Sequence, residues 1–184
     1  FYWNPFEKNG NHEFLEGAKF SNSVKLYYLD VDLRNILLKY LNRIEINFRT
    51  KVIYYVSNKY RKTPAWYADK NIVKNTFIQS VPGKLSMLNR VYTLDFINNN
   101  KTLKKHHDKY PHDDYAPAWK ALEFFTFGVL LNLFKNIEDA DIKKRVSESM
   151  GVQSVDKFEN LMTTVVLIRN ICSHGDVLYD FKTP

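Results

Sequence analysis

Apolar residues recur at helical spacing along most of the chain, and the longest such run lies near its start. Between Ser23 and about Lys59 they follow one another at three- and four-residue steps, and the members of this face are Leu33, Leu37, Tyr40, Leu41, Ile44, Phe48, Val52 and Tyr55. This spacing predicts a long amphipathic helix, or two helices stacked end to end. Few stretches alternate apolar and polar residues, and no Asn-Gly or Asp-Gly turn lies between such stretches, so we predict an all-α fold.

Proline and glycine residues mark where further helices begin and end. Thr63-Pro64 and Ala116-Pro117 favour helix starts, because proline suits the first helical turn and threonine can cap it. Pro82-Gly83 interrupts the chain, and a shorter helix is predicted over residues 85–97. The polar stretch 98–114 is predicted to be a connection with at most a turn or two of helix.

Three helices are predicted in the last third of the chain. The segment Leu122 to Leu133 is apolar nearly all round, which predicts burial in the centre of a bundle. A short polar helix is predicted from Asp139 to about Met150, ending at Gly151. The last helix is predicted from Val155 to about Cys172, with Gly175 placed to terminate it in a left-handed conformation.

Length and composition fit one domain with an excess of positive charge. The 184 residues, of which 45% are apolar, can enclose a core, so we predict a single domain over residues 1–184. Lys and Arg outnumber Asp and Glu by 27 to 20, and the formal charge of +7 modestly favours a polyanionic partner. The single cysteine, Cys172, excludes an internal disulfide framework and fits a reducing compartment. No apolar run approaches the roughly 18 residues of a membrane span and no secretory signal opens the chain, so we expect a cytoplasmic protein without a membrane partner.

The last predicted helix carries a charged residue on its apolar face. Its apolar stripe consists of Val155, Phe158, Met162, Val165 and Cys172. At about 100° per residue, Arg169 falls near the centre of the same stripe. Because burying an uncompensated charge costs several kcal/mol, Arg169 must meet a carboxylate or face a cleft or subunit interface that receives an anion. Glu123 and Glu45 are the candidate carboxylates.

Asn170 and His174 follow Arg169 closely enough to act with it. Residues 169–174 put a cation, an amide and an imidazole within one and a half helical turns. On an unbroken helix the side chains of Arg169 and His174 would point about 140° apart. They converge if the helix ends near Cys172, which Gly175 permits, or if a second copy of the chain completes the site.

Glu45, Arg49 and Glu123 are candidate supporting residues. Glu45 and Arg49 are four positions apart on the long helix, so they can form an ordinary exposed pair. In the alternative, Glu45 turns inward and orients Arg169. Glu123 lies on the nearly all-apolar helix, where a carboxylate needs a cation, and Arg169 is its first candidate partner.

We expect neither a metal site nor a cofactor. The candidate ligands are Cys172, His174, His106, His107 and His112, and they show no paired Cys-x-x-Cys or His-x-x-x-His spacing. Zinc sites normally have such regular ligand spacing. Cys172 is interpreted as a small buried apolar residue, and His106 and His107 as solvated loop residues.

Several short blocks of sequence span nearly the whole chain. They are Phe1-Tyr2-Trp3-Asn4-Pro5-Phe6, Leu26 to Arg34, Arg43 to Arg49, Pro117-Ala118-Trp119 with Glu123 and Phe127-Gly128, and Leu167 to His174. As a set and in this order, the blocks resemble the Abi-like proteins of bacterial abortive infection. The last block resembles the signature of HEPN ribonucleases, in which an arginine, a polar residue and a histidine lie near the end of a terminal helix. Two features depart from the family: it usually has a further helix before the first block, and its tail is often Arg-rich, unlike residues 175–180.

The resemblance implies a HEPN-like helical bundle and a metal-independent endoribonuclease of a phage-defence or toxin–antitoxin system. Such an enzyme uses the 2′-hydroxyl of RNA as nucleophile and leaves a 2′,3′-cyclic phosphate, so matching DNA should survive. Arg169, His174 and Asn170 would be the catalytic residues. An imidazole can move the proton near neutral pH, and a guanidinium can bind the phosphate and stabilise the charge that builds on it. Asn170 would orient the phosphate or the histidine.

The resemblance also defines the expected partners. RNA is the expected substrate, and a homodimer would bring two Arg169/His174 sets to one cleft. An antitoxin or a regulatory small RNA is a candidate for restraining the activity. Two alternatives stay open: a non-catalytic helical module that binds RNA or a partner protein, and a purely structural oligomerisation domain.

Overall fold

Helices make up most of the computed structural model, which describes residues 2–8 and 13–182. The α-helices are α1 Phe20–Lys59, α2 Asn75–Ile78, α3 Met87–Val91, α4 Leu94–Asn99, α5 Lys101–Lys109, α6 Ala118–Ala121, α7 Phe127–Lys135, α8 Ala140–Ser149 and α9 Val155–His174. Short 3-10 helices cover Asn4–Phe6, Trp66–Ala68 and Leu122–Phe124. The strands β1 Glu7–Lys8 and β2 Glu13–Phe14 pair antiparallel. The prediction of an all-α fold is confirmed.

The long helix predicted from the first apolar run is continuous. Helix α1 spans 40 residues without a break, so the alternative of two stacked helices is wrong. Its predicted face is buried at Leu41, Phe48 and Val52, whereas Leu33 is 41% exposed and Tyr40 54% exposed.

Among the described residues, none of the helices combines the length and the apolar character that a membrane-spanning helix needs.

The single helix predicted over residues 85–97 is instead two helices, α3 and α4, and each begins at a side-chain cap. The hydroxyl of Ser86 accepts a hydrogen bond from the backbone N–H of Asn89, and the hydroxyl of Thr93 accepts one from Phe96. Each cap satisfies a backbone donor that has no partner within its helix, so a new helix begins after Thr93. The break at Pro82-Gly83 is confirmed, with Gly83 at φ +77°.

Two of the boundary predictions in the middle of the chain are wrong. The stretch 98–114 contains α5, which is nine residues long and exceeds the predicted turn or two. It was hidden because Leu103 is its one buried apolar residue, so no apolar stripe marks it. The start at Thr63-Pro64 leads only to the 3-10 helix Trp66–Ala68. The start at Ala116-Pro117 is confirmed, because the short helix α6 begins directly after Pro117.

The last three predicted helices are confirmed with shifted ends. The predicted segment 122–133 is interrupted before α7, because the hydroxyl of Thr126 accepts a hydrogen bond from Val129 and starts a new helix there. Asp139 caps α8 by accepting from Ile142, and Gly151 follows its end at φ +86°. Helix α9 begins at Val155 as predicted.

The chain divides into two compact units, each with its own apolar core. Unit 1 comprises Phe1–Ile44 with Thr164–Pro184, and unit 2 comprises Glu45–Thr163. The prediction of one domain over residues 1–184 stays a prediction.

The core of unit 2 is built largely from aromatic rings. The ring of Phe48 is fully buried, and its centroid lies 5.4 Å from that of Phe134, 5.9 Å from that of Phe158 and 6.1 Å from that of Phe127. These distances suit tilted and edge-to-face contacts, which add to the gain from burying the rings. Phe48 therefore joins α1, α7 and α9 within unit 2.

Truncating the Phe48 ring tests this packing. We expect Phe48→Ala to lower the free energy of unfolding by about 3–5 kcal/mol, because it leaves a cavity among three other rings. Tyr54→Ala on the same helix is the control, since Tyr54 is 60% exposed and its loss should cost about 0.5 kcal/mol or less. Urea unfolding of both variants measures the difference, and equal losses would contradict the assignment of Phe48 to the core.

Candidate functional site

The three predicted catalytic residues lie in unit 1, on the last two turns of α9. Arg169 and Asn170 are partly buried, and His174 is exposed at the final position of the helix. Arg169 Nη1 donates to Asn170 Oδ1 over 3.3 Å, so the amide oxygen holds one edge of the guanidinium. A guanidinium can bind a phosphate and an accessible imidazole can move a proton, so the helix end carries both groups that phosphodiester chemistry needs.

The helix that carries these residues ends later than predicted. It continues through Cys172 to His174, and Gly175 then adopts φ +80°. The N–H of Asp176 donates to the carbonyl of Ile171 over 3.1 Å, which closes the turn in the manner of a Schellman cap. The left-handed Gly175 is confirmed, but the end near Cys172 is wrong. On this unbroken helix Arg169 and His174 point about 140° apart.

Cys172 lies in the apolar core of unit 1. Its buried neighbours are Leu41 and Leu178, and partly buried residues packed against them are Leu37, Leu38, Val165, Ile168, Ile171 and Phe181. Burial raises the pKa of the Cys172 thiol. The interpretation of Cys172 as a small buried apolar residue is confirmed, and the packing fixes one face of α9 just before His174.

A buried carboxylate that sequence reasoning missed ties the segment after His174 to α1. Asp30 is 1% exposed, and its Oδ1 accepts from the backbone N–H groups of Leu178, over 3.1 Å, and Tyr179, over 2.7 Å. Its Oδ2 accepts from the hydroxyl of Tyr2 over 2.9 Å and lies 3.1 Å from Arg34 Nε. The carboxylate therefore accepts hydrogen bonds from two backbone donors and a phenol and is paired with a guanidinium.

The sequence offers one signal for this cluster. Asp30 and Arg34 are four positions apart on α1, which is the spacing of a helical ion pair, and both belong to the block Leu26 to Arg34 that resembles the family. The partners of Asp30 in the tail lie 148 and 149 positions away, so no local pattern indicates them.

Glu45 and Arg49 form a buried pair in unit 2. Arg49 Nη2 donates to Glu45 Oε1 over 2.8 Å, and the side chains of Arg49 and Glu45 are only 10% and 12% exposed. Arg49 Nη1 also donates to the carbonyl of Leu122, at the start of the 3-10 helix Leu122–Phe124. The predicted exposed pair is thus a buried one that joins two elements. The hypothesis that Glu45 orients Arg169 stays a prediction, because the two residues belong to different units.

Glu123 is placed differently from the expectation. It lies on the 3-10 helix Leu122–Phe124 rather than on α7, and its side chain is exposed. The sequence argument that this carboxylate needs a cation on a buried face is therefore wrong. Its pairing with Arg169, which lies in unit 1, stays a prediction.

The histidines considered as metal ligands have other surroundings. His106 is 4% exposed on α5, its Nε2 lies 3.1 Å from Asp113 Oδ2, and burial lowers the pKa of its imidazole. His107 Nε2 and the hydroxyl of Tyr92 are 3.0 Å apart. These two residues pack in unit 2, so their interpretation as solvated loop residues is wrong. His112 is exposed.

Across residues 2–8 and 13–182, no group of three or more His, Cys, Asp or Glu side chains could hold a metal ion.

Comparison with known proteins identifies one family. A family model described as Abi-like protein matches residues 1–180 of the chain. The match covers the α1 residues Asp30 and Arg34 as well as the α9 segment from Arg169 to His174. No curated protein and no solved structure matches the sequence.

Replacing Asp30 tests whether its carboxylate fastens the tail. We expect Asp30→Ala to lower the free energy of unfolding by about 3–5 kcal/mol, because it leaves a buried guanidinium without a counter-charge and two backbone N–H groups without an acceptor. Asp32→Ala, an exposed position on the same helix, should cost about 0.5 kcal/mol or less. Urea unfolding gives both values, and a loss of under about 1 kcal/mol for Asp30→Ala would contradict this role.

Proposed function

Because the chain belongs to the Abi-like protein family, we propose that it is a metal-independent endoribonuclease of the HEPN type. The family itself implies a role in phage defence by abortive infection. The ribonuclease activity is our proposal, and it is supported chiefly by the placement of Arg169, Asn170 and His174 at the end of α9. A partly buried guanidinium held by an amide, close in sequence to an exposed imidazole, suits phosphodiester chemistry better than it suits packing alone.

The proposed reaction is an intramolecular attack within the RNA. His174 takes the proton of a ribose 2′-hydroxyl, and the 2′-oxygen forms a bond to the adjacent phosphorus while the bond from phosphorus to the 5′-oxygen breaks. A second imidazole or a water protonates the departing 5′-oxygen, so the products are a 2′,3′-cyclic phosphate and a 5′-hydroxyl. Arg169 binds the non-bridging oxygens and stabilises the charge that develops on them.

The geometry of α9 favours a site completed by a second copy. Arg169 and His174 diverge by about 140° on the helix, and the helix does not end early enough to turn the imidazole back. A homodimer that pairs two α9 termini would place the arginine of one chain near the histidine of the other. The net charge of +7 would add to the attraction for RNA. An antitoxin or a regulatory small RNA would then restrain the activity.

The first test compares RNA cleavage by the wild type and by His174→Ala in the presence of EDTA. We expect the wild type to cut single-stranded or structured RNA in chelator, to release 2′,3′-cyclic phosphate ends and to leave matching DNA intact. His174→Ala should be slower by about 100-fold or more, because proton transfer is lost. His112→Ala, which changes another exposed histidine, should retain full activity.

Three outcomes would count against the ribonuclease. Loss of cleavage on adding EDTA would point to a bound metal. RNA binding that is unchanged in His174→Ala, with no cleavage by either protein, would identify a non-catalytic RNA-binding module. If the wild type neither binds nor cuts RNA, the structural oligomerisation domain is the remaining alternative.

Complementation tests whether the site is shared between chains. Arg169→Ala and His174→Ala should each be inactive alone, and mixing them in equal amounts after dissociation should restore about a quarter of the wild-type activity. Half of the dimers would be mixed, and each mixed dimer would hold one intact site. The control is the Arg169→Ala, His174→Ala double variant mixed with wild type. Its mixed dimers contain no shared site with both residues intact, so it should retain only the roughly one quarter of activity due to wild-type homodimers, whereas sites within one chain would retain about half. No recovery in the test mixture would favour a site within one chain.

A further inference from the structure

Arg34 is a nearly buried cation that uses only one of its nitrogens for a protein partner. Its side chain is 10% exposed, and Nε lies 3.1 Å from Asp30 Oδ2. Within residues 2–8 and 13–182, Asp30 is its one ion-pair partner, and neither Nη1 nor Nη2 makes a hydrogen bond. Nε is fully sealed from solvent, whereas the unbonded terminal nitrogens keep some contact with it.

Such an arrangement is unusual for an arginine with a purely structural role. A guanidinium that serves only to neutralise a carboxylate normally binds it through two parallel N–H groups. Here Asp30 gives its remaining capacity to Tyr2, Leu178 and Tyr179, and cannot receive the terminal nitrogens as well. Keeping a nearly buried cation with unused donors is costly unless an anion occupies them.

The position of the guanidinium connects it with the end of α9. A Cβ atom built on Gly175 would lie 3.4 Å from Arg34 Nη1, so this nitrogen is close to the backbone directly after His174. The charge of Arg34 also lowers the pKa of the Cys172 thiol, against the larger rise that burial causes, and Cys172 lies two residues before His174. All of these residues belong to unit 1.

We propose that Arg34 is a second phosphate-binding residue, whose Nη1 and Nη2 receive an RNA phosphodiester beside the end of α9. This inference rests on the proposed function for the identity of its ligand. Asp30 is then the residue that positions the guanidinium, because it pairs with Nε and leaves Nη1 and Nη2 to the phosphate. A guanidinium suits this role, because its planar pair of terminal nitrogens matches two oxygens of a phosphate.

The experiment compares variants that differ in Arg34 but not in net charge. The double variant Asp30→Asn, Arg34→Gln removes one negative and one positive charge together, so no unpaired charge is left buried, and the amide oxygen introduced at position 30 can still accept from the tail. The probe is a fully 2′-O-methylated single-stranded oligonucleotide, which lacks the nucleophile and so cannot be cut. Binding to the full chain is followed by fluorescence anisotropy at several salt concentrations, and the urea midpoint of each variant reports on folding.

We expect the double variant to bind about tenfold more weakly than wild type, because a charge-assisted contact is lost. The slope of log K against log salt should fall in magnitude by about 0.7, as for one lost contact to single-stranded nucleic acid. Lys25→Gln, at an exposed position on the same helix, should leave affinity and slope nearly unchanged.

The outcomes separate this inference from the ribonuclease proposal. If the folded double variant binds with the affinity and slope of wild type, Arg34 binds no phosphate and the inference fails, whether or not wild type cuts RNA. An equal loss in Lys25→Gln would also overturn it, since general charge would explain both. If wild type cuts no RNA but the probe requires Arg34, the phosphate site stands and the ribonuclease proposal fails. Should the double variant be unfolded, Arg34→Lys is measured instead. Weaker binding of the probe with an unchanged salt slope supports a phosphate held by both Nη1 and Nη2, and unchanged affinity contradicts it.

Discussion

The buried carboxylate of Asp30 is the interaction on which the described architecture of unit 1 depends. It accepts hydrogen bonds from Tyr2 near the start of the chain and from Leu178 and Tyr179 near its end, and it pairs with Arg34 on its own helix. A desolvated carboxylate must have such donors, because it would otherwise lose several kcal/mol of hydration without return. One side chain therefore fixes how both ends of the chain lie against α1.

This constraint bears directly on the candidate site. The helix α9 ends at His174, and only the Gly175 turn and a few residues separate it from the anchored backbone at Leu178. The packing of Cys172 holds the helix from the other side of His174. The imidazole thus projects from a short segment that is fixed on both sides, as a residue that must meet a reacting atom requires.

The periodic parts of the fold were predictable, and the polar parts were not. The helical conformation of α1, though not its continuity, and the start of α9 follow from apolar spacing over many residues. The left-handed Gly175 after α9 follows from its lack of a side chain. By contrast, α5 has almost no apolar stripe, and the division between α3 and α4 depends on the hydroxyl of Thr93 competing with the helix for a backbone donor. Such local competition is decided by a single hydrogen bond and leaves little trace in the sequence.

The same distinction applies to the site. Arg169, Asn170 and His174 could be proposed from the sequence because they are neighbours on one predicted helix and resemble a known short signature. The Asp30 cluster was not, because its members are brought together only by folding. Glu45 shows an intermediate case: its pairing with Arg49 follows from helical spacing, but the burial of the pair depends on a tertiary contact to a backbone carbonyl.

The anchoring of the tail through main-chain donors has a consequence for how this region can vary. Asp30 contacts the N–H groups of Leu178 and Tyr179, which every amino acid except proline carries. These two hydrogen bonds therefore set no requirement on the side chains at positions 178 and 179, which are restricted only by packing such as that of Leu178 in the core around Cys172. Proline at either position would remove the hydrogen bond from that residue without altering any side chain that Asp30 contacts.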